Sequence, residues 1–225
     1  VHFGYKERYV VDFRLSLNGN SKFGPKNKWA YFPGVSVRYN VSDEPFMKWT
    51  KSFVSVLGLK ASYGITGNAP SQDYLFYNTY NTSAGNYGFQ GQTTPVARLD
   101  GLKLDDLRWE KTSELNLGFE LNLFDDKVNI DFNYYDKNTK DMLMSNIRIP
   151  SMTGYTTLSN ANVGEMSNRG WELYVNANNI VKVGKFSFSA GFNIAQNENL
   201  IDAMDETVLE SLNTDWAAAT RGGNS

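Results

Sequence analysis

From Leu115 to Leu123 every second residue is apolar: Leu115, Leu117, Phe119, Leu121 and Leu123. Between them stand Asn116, Gly118, Glu120 and Asn122, with Glu114 just before. A strand points successive side chains to opposite faces, so this segment has one apolar and one polar face. One such strand fits any half-covered sheet; the constraint lies in repetition. Val11, Phe13, Leu15 and Leu17 alternate with Asp12, Arg14 and Ser16 in a strand over 8–18. Val35, Val37, Tyr39 and Val41 do so over 29–41, and Leu57, Leu59, Ala61, Tyr63 and Ile65 over 56–66. Further on, Val128, Ile130, Phe132 and Tyr134 mark a fifth strand. Trp171, Leu173, Val175 and Ala177 mark a sixth, and Phe186, Phe188, Ala190, Phe192 and Ile194 a seventh. No second kind of element recurs that could cover so many apolar faces. Lipid is then the covering solvent, which in an all-β chain means a transmembrane β-barrel.

The connections support an antiparallel up-and-down meander of about seven strands. Barrels of this kind carry long loops outside and short turns in the periplasm. Loops 19–28, 67–107, 138–166 and 197–225 are expected outside, and connectors 42–55, 124–127 and 178–185 in the periplasm. With that assignment all seven strands alternate in direction. Pro33 lacks a ladder donor, so the second strand is expected to start late or carry a bulge. Connector 42–55 reads as short helical or irregular, with Asp43 as its cap and Pro45 in its first turn. Leu200, Ile201, Met204, Val208, Leu209 and Leu212 recur at roughly helical spacing, which predicts a short amphipathic helix in the last loop.

Composition excludes several classes. The 225 residues carry a formal net charge of −2, without the basic footprint of nucleic-acid binding. There is no cysteine, hence no disulfide framework or thiol nucleophile. Mean hydropathy is −0.45, and no apolar run is long enough to span as a helix, which leaves a barrel open because only alternate strand residues face lipid. No secretory leader is visible at Val1, although a barrel must cross the inner membrane; a preceding segment is therefore expected.

Candidate catalytic groups are few. His2 is the only histidine and stands at the chain's start, which removes Ser-His and metal-His arrangements from the reading. Asp105-Asp106 and Asp125-Asp126 fall in a loop and a turn, where Asp serves local backbone bonds. Asp202, Asp205, Glu206 and Glu210 lack the spacing and glycine of a calcium loop and read as a solvated helix face. The sequons Asn40-Val41-Ser42 and Asn81-Thr82-Ser83 read as chance. No metal, cofactor or enzymatic activity is expected.

The aromatics divide in two. Trp29, Tyr31, Tyr63, Trp109, Tyr134 and Trp171 suit the lipid interface. Tyr74, Phe76, Tyr77, Tyr80, Tyr87 and Phe89 stand among Asn, Gln, Gly and Ser in loop 67–107. Flat rings beside amides suit capture of a sugar or peptide, and equally suit loop packing or contact with a partner protein.

Several runs resemble one family. Arg8-Tyr9-Val10-Val11, then Lys22-Phe23-Gly24-Pro25-Lys26-Asn27-Lys28 and Tyr31-Phe32-Pro33-Gly34-Val35-Ser36, are similar to SusC/RagA-type TonB-dependent outer-membrane transporters. So are Leu59-Lys60-Ala61-Ser62-Tyr63-Gly64-Ile65-Thr66-Gly67-Asn68 and Trp109-Glu110-Lys111-Thr112 with Gly118-Phe119-Glu120. Asn133-Tyr134-Tyr135 with Lys140-Asp141-Met142-Leu143 continues the match. Gly154-Tyr155, Asn160-Ala161-Asn162-Val163-Gly164 and Asn168-Arg169-Gly170-Trp171-Glu172 complete it. The order and spacing hold across nearly the whole chain. The resemblance implies an arc of a barrel of about 22 strands, with a plug and a TonB-box segment before Val1 and more strands after Ser225. It also implies import of an oligosaccharide, a peptide or another sizeable nutrient, with a SusD-like surface lipoprotein as lid and TonB as motor. Tyr74, Tyr77, Tyr80, Tyr87, Phe89 and Tyr155 are the residues expected to touch substrate or lid. The rival readings are a barrel that serves mainly as a docking platform, a soluble glycan-binding β-sandwich, and an outer-membrane enzyme.

Overall fold

The computed structural model describes residues 1–89, 92–149, 152, 154–155, 157–184 and 186–204. Eight strands form one antiparallel sheet: β1 (His2–Tyr5), β2 (Tyr9–Gly19), β3 (Trp29–Asn40), β4 (Val54–Asn68), β7 (Glu110–Leu123), β8 (Val128–Lys140), β11 (Glu165–Val183) and β12 (Phe186–Ala203). Their spatial order follows the chain, interrupted only by two hairpins that form sheets of their own. These are β5 (Tyr80–Phe89) with β6 (Gln92–Leu99), and β9 (Leu143–Arg148) with β10 (Thr157–Asn162). All seven expected strands are present, and β1 adds an eighth too short to show a period.

Several expectations need correcting. Loop 67–107 is not structureless: β4 runs on to Asn68 and the β5–β6 hairpin fills its middle. Loop 138–166 likewise holds β9 and β10. Residues 178–183, expected in connector 178–185, extend β11 past a register shift between Ala177 and Val181, and the turn comes at Gly184. Leu200 and Ile201 belong to β12, not to a helix; Val208, Leu209 and Leu212 lie outside the described residues. Connector 41–53 does contain two short 3-10 turns, but Asp43 lies inside the first and makes no cap. β3 starts on time at Trp29, and Pro33 pairs with Leu15 of β2. The cost of its missing donor shows on the other edge, where the β3–β4 ladder stops at Gly34–Gly64.

Register sorts the two faces. One cross-strand row reads Tyr9, Tyr39, Leu59, Phe119, Phe132, Leu173 and Ile194. The next row on the other face reads Val10, Arg38, Lys60, Gly118, Asn133, Glu172 and Ala195. The apolar rows have no second layer over them among the described residues; Leu117 is 43% exposed and Leu15 60%. A sandwich would bury these side chains against a facing sheet. A bilayer covers them without one.

The apolar band also slides along the sheet. Its upper end is Leu17 on β2 and Ile194 on β12, where Gln196 follows. Traced along the register, Ile194 aligns with Tyr9, eight residues below Leu17. At about 3.3 Å per residue and about 4.8 Å per strand, that drop over six strand steps is a tilt of about 43°. Membrane barrels tilt by about 35–45°. The band is level only if the strands lean as barrel strands do. Trp29, Tyr31, Tyr63, Tyr134 and Trp171 all lie on apolar rows near this upper edge, where an interfacial girdle belongs. Trp109 does not join them.

Candidate functional site

The one buried apolar cluster among the described residues sits above the wall, in the loops. Phe23, Ala30, Phe32, Leu75, Leu104, Leu107 and Trp109 form it. Trp109, expected at the lipid interface, is only 8% exposed. Its ring packs on Phe23 at 4.7 Å and edge-on to Phe32 at 5.6 Å, and its indole N–H donates to the Asn27 carbonyl at 2.9 Å. The misreading arose because Trp109 precedes the first paired residue of β7, so strand parity says nothing about its direction. Asn27 answers through its Nδ2, which donates to the Leu107 carbonyl at 3.1 Å. The loop after β2 and the segment before β7 are thus tied in both directions.

On this base the chain from 69 to 80 is folded back and pinned. Lys22 Nζ donates to the carbonyls of Pro70 and Ser71, each at 2.9 Å, and lies 3.3 Å from Asp73. Leu75 points into the cluster and its carbonyl accepts from Leu104 N–H at 3.0 Å. Phe76 lies over Gly24, where any Cβ would strike the ring at 2.8 Å, and Lys103 Nζ sits 4.6 Å from its centroid. The tight turn closes with Tyr77 N–H on the Tyr74 carbonyl at 2.9 Å. It sets Tyr74 at φ +62°, a left-handed conformation uncommon for a residue with a Cβ.

With Phe76 anchored, three tyrosines of this segment are left outside. Tyr74 is 70% exposed, Tyr77 57% and Tyr80 63%. Tyr74 and Tyr77 stand 6.4 Å apart, and Phe76 meets Tyr77 at 5.4 Å. Tyr80 opens β5 opposite Leu99. Tyr87 and Phe89 lie farther along that hairpin, opposite Thr94 and Gln92; their ring positions are outside the described residues. Tyr155 is half-buried in the connection between β9 and β10. Sequence reasoning missed Lys22, whose reach to residues 70–73 has no local signal.

Below the loops, the polar face of the wall is a concavity of about 690 Å³ lined by Arg38, Lys60, Glu114, Asn116, Asn133 and Tyr135 among others. Its cations are paired within the wall. Arg38 donates to Glu120 at 2.9 Å, Lys60 to Asp131 at 2.6 Å, and Lys137 lies 3.6 Å from Glu114. Asn133 bonds the second oxygen of Asp131, and Asn116 donates to Glu114 at 2.9 Å. Glycines make room for these side chains: a Cβ at Gly118 would meet Asn133 Oδ1 at 2.5 Å and the Phe132 carbonyl at 2.6 Å. His2 faces Asp12 at 2.7 Å, with both side chains exposed.

A tilted antiparallel wall, apolar and uncovered outside, polar and charge-paired inside, with folded loops at one end, is the wall of an outer-membrane β-barrel. The sequence profile of the family "TonB dependent receptor-like, beta-barrel" matches residues 4–224, and the chain belongs to that family. It is 34% identical to TonB-dependent receptor P39 of Formosa agariphila over 94% of its own length, and 28% identical to TonB-dependent receptor SusC of Bacteroides thetaiotaomicron over 89%. The fold superposes on the structure of the RagAB peptide importer in the closed-closed state with a TM-score of 0.80 at 25% identity over 90% of this chain. The chain spans about a fifth of these relatives: 20% of P39, 20% of SusC and 21% of the matched importer chain.

Proposed function

We propose that the protein takes part in TonB-driven import of a sizeable nutrient, an oligosaccharide or a peptide, with a SusD-like surface lipoprotein closing over its extracellular loops. The supporting observation is the set of exposed tyrosines, Tyr74, Tyr77 and Tyr80, carried on a packed loop base above the wall. Exposing three rings on a folded loop costs solvation that loop packing does not recover, whereas a ligand or lid recovers it. On the sequence reading, Tyr87, Phe89 and Tyr155 belong to the same contact. The pairing of Arg38, Lys60 and Lys137 within the wall leaves amides and hydroxyls prominent among its available groups, which suits passage of a polar solute.

The test is growth of a strain on its cognate nutrient with Tyr77, Tyr80 and Tyr87 replaced together by Ala in the full-length protein. Each ring contributes roughly 0.5–1.5 kcal/mol of stacking beyond area burial, so uptake or lid closure should weaken. Barrel assembly, read by heat-modifiable gel mobility, should not change, because no wall strand holds these residues. Unimpaired growth with normal assembly removes the rings from the functional surface.

A further inference from the structure

The wall has a seam. The β3–β4 ladder ends at Gly34–Gly64, yet β3 continues up to Trp29 and β4 up to Asn68. Above that point β3 stays paired with β2 and β4 with β7, so the two pairs part. Pro33 sits at the parting and offers no N–H to mend it. The gap forms a cleft of about 370 Å³ lined by Lys26, Asn27, Trp29, Arg108, Lys111 and Asp141 among others. Trp109 also lines it, packed edge-on to Phe32, whose ring occupies the space a Cβ on Gly67 would need.

The cleft is cationic. Lys26, Arg108 and Lys111 line it against one carboxylate, Asp141, which holds Arg108 at 3.0 Å. Among the described residues neither Lys26 nor Lys111 is in an ion pair. Asn162 fixes the position of Arg108 by accepting from its N–H and donating to its carbonyl, each at 2.8 Å. Lys111 pairs in register with Lys140 on the outward row of β8, and Lys140 is 66% exposed. The cleft also opens beside Trp29 and Tyr31, 59% and 66% exposed at the top of the apolar band. That is the height of the outer-leaflet headgroups. Uncompensated lysines there would be solvated at no cost on a loop tip; in a notch at the lipid boundary they face whatever headgroup lies alongside.

We propose that this notch binds the phosphorylated saccharide headgroup of an outer-leaflet glycolipid, with Lys26 and Lys111 on the phosphate and Trp29 and Tyr31 against the sugar and the first acyl carbons. Continuity with the lipid-facing band and the excess of positive charge both favour a membrane-borne anion over a soluble one.

The experiment uses the full-length protein in nanodiscs that contain a bisphosphorylated glycolipid or its dephosphorylated form, with retained glycolipid counted by native mass spectrometry. The parent protein should retain the phosphorylated form selectively. Lys26→Glu with Lys111→Glu should lower that retention at least about tenfold, while gel mobility shows an assembled barrel. Lys26→Gln with Lys111→Gln covers the case in which charge reversal blocks assembly, and should lower retention in the same direction. Retention that is equal for the two glycolipid forms, or unchanged in both variants, overturns the proposal. So does displacement by inorganic phosphate, which would mark a site for a free anion. None of these readings depends on nutrient uptake, so the outcome is separable from the import function.

Discussion

Single residues decide which solvent each face meets. Leu117 lies on an apolar row and Asn116 on the polar row beside Ser62 and Tyr135. Leu117→Arg should destabilise the barrel by about 2–4 kcal/mol near the bilayer midplane, and Asn116→Arg by much less. Urea unfolding of the full-length protein in vesicles measures both; equal losses would contradict the facing. Gly118→Ala should cost about 1–3 kcal/mol by overpacking, because the added methyl meets a backbone carbonyl that cannot swing away. In the loop, Tyr74→Gly relieves the left-handed backbone but removes a ring. Its expected signature is unchanged or slightly raised stability together with weaker uptake, which separates the role of the ring from that of the fold.

Elements were legible in proportion to their period. The strands from β2 to β12 on the main sheet announce themselves by alternation because one solvent is apolar throughout. The hairpins β5–β6 and β9–β10 were hidden, since neither belongs to the eight-stranded sheet whose lipid face imposes the alternation. Trp109 and Lys22 were unreadable for another reason: their partners are 70 or more and about 50 positions away, and only the fold brings them together. That remote tie makes a prediction. Lys22→Ala removes two carbonyl contacts and an ion pair from residues 70–73. Limited proteolysis of intact cells should then cut near residues 70–79 faster than in the parent, with the barrel still assembled. Trp109→Ala should have a larger effect of the same kind, by about 3–5 kcal/mol of lost packing. Identical cleavage rates in all three proteins would mean that the base does not hold the platform.

At the scale of the molecule, eight strands leave the outer edges of β1 and β12 unpaired, and an apolar face that water cannot cover. These 225 residues alone should not fold as a stable monomer in detergent-free buffer. A sharp, reversible urea transition there would count for a soluble sandwich and against the wall described above.

The irregularities of register have a bearing on how such a chain can change over time. They fall between Val54 and Val56, between Ala177 and Val181, and between Glu165 and Met166. Each lies toward a strand end, and the widest, between Ala177 and Val181, takes up four residues of β11 against two of β12 and so leaves the facing of both strands unchanged. Inside the band an added or lost residue would turn half a strand inside out, exposing Arg38 or Glu120 to hydrocarbon. Beyond the band the same event is absorbed by a bulge or a longer loop. Single-residue insertions should therefore be tolerated mainly at the two rims, and the rim where loops already fold on a base of their own can lengthen without disturbing the heights of the strands beneath it.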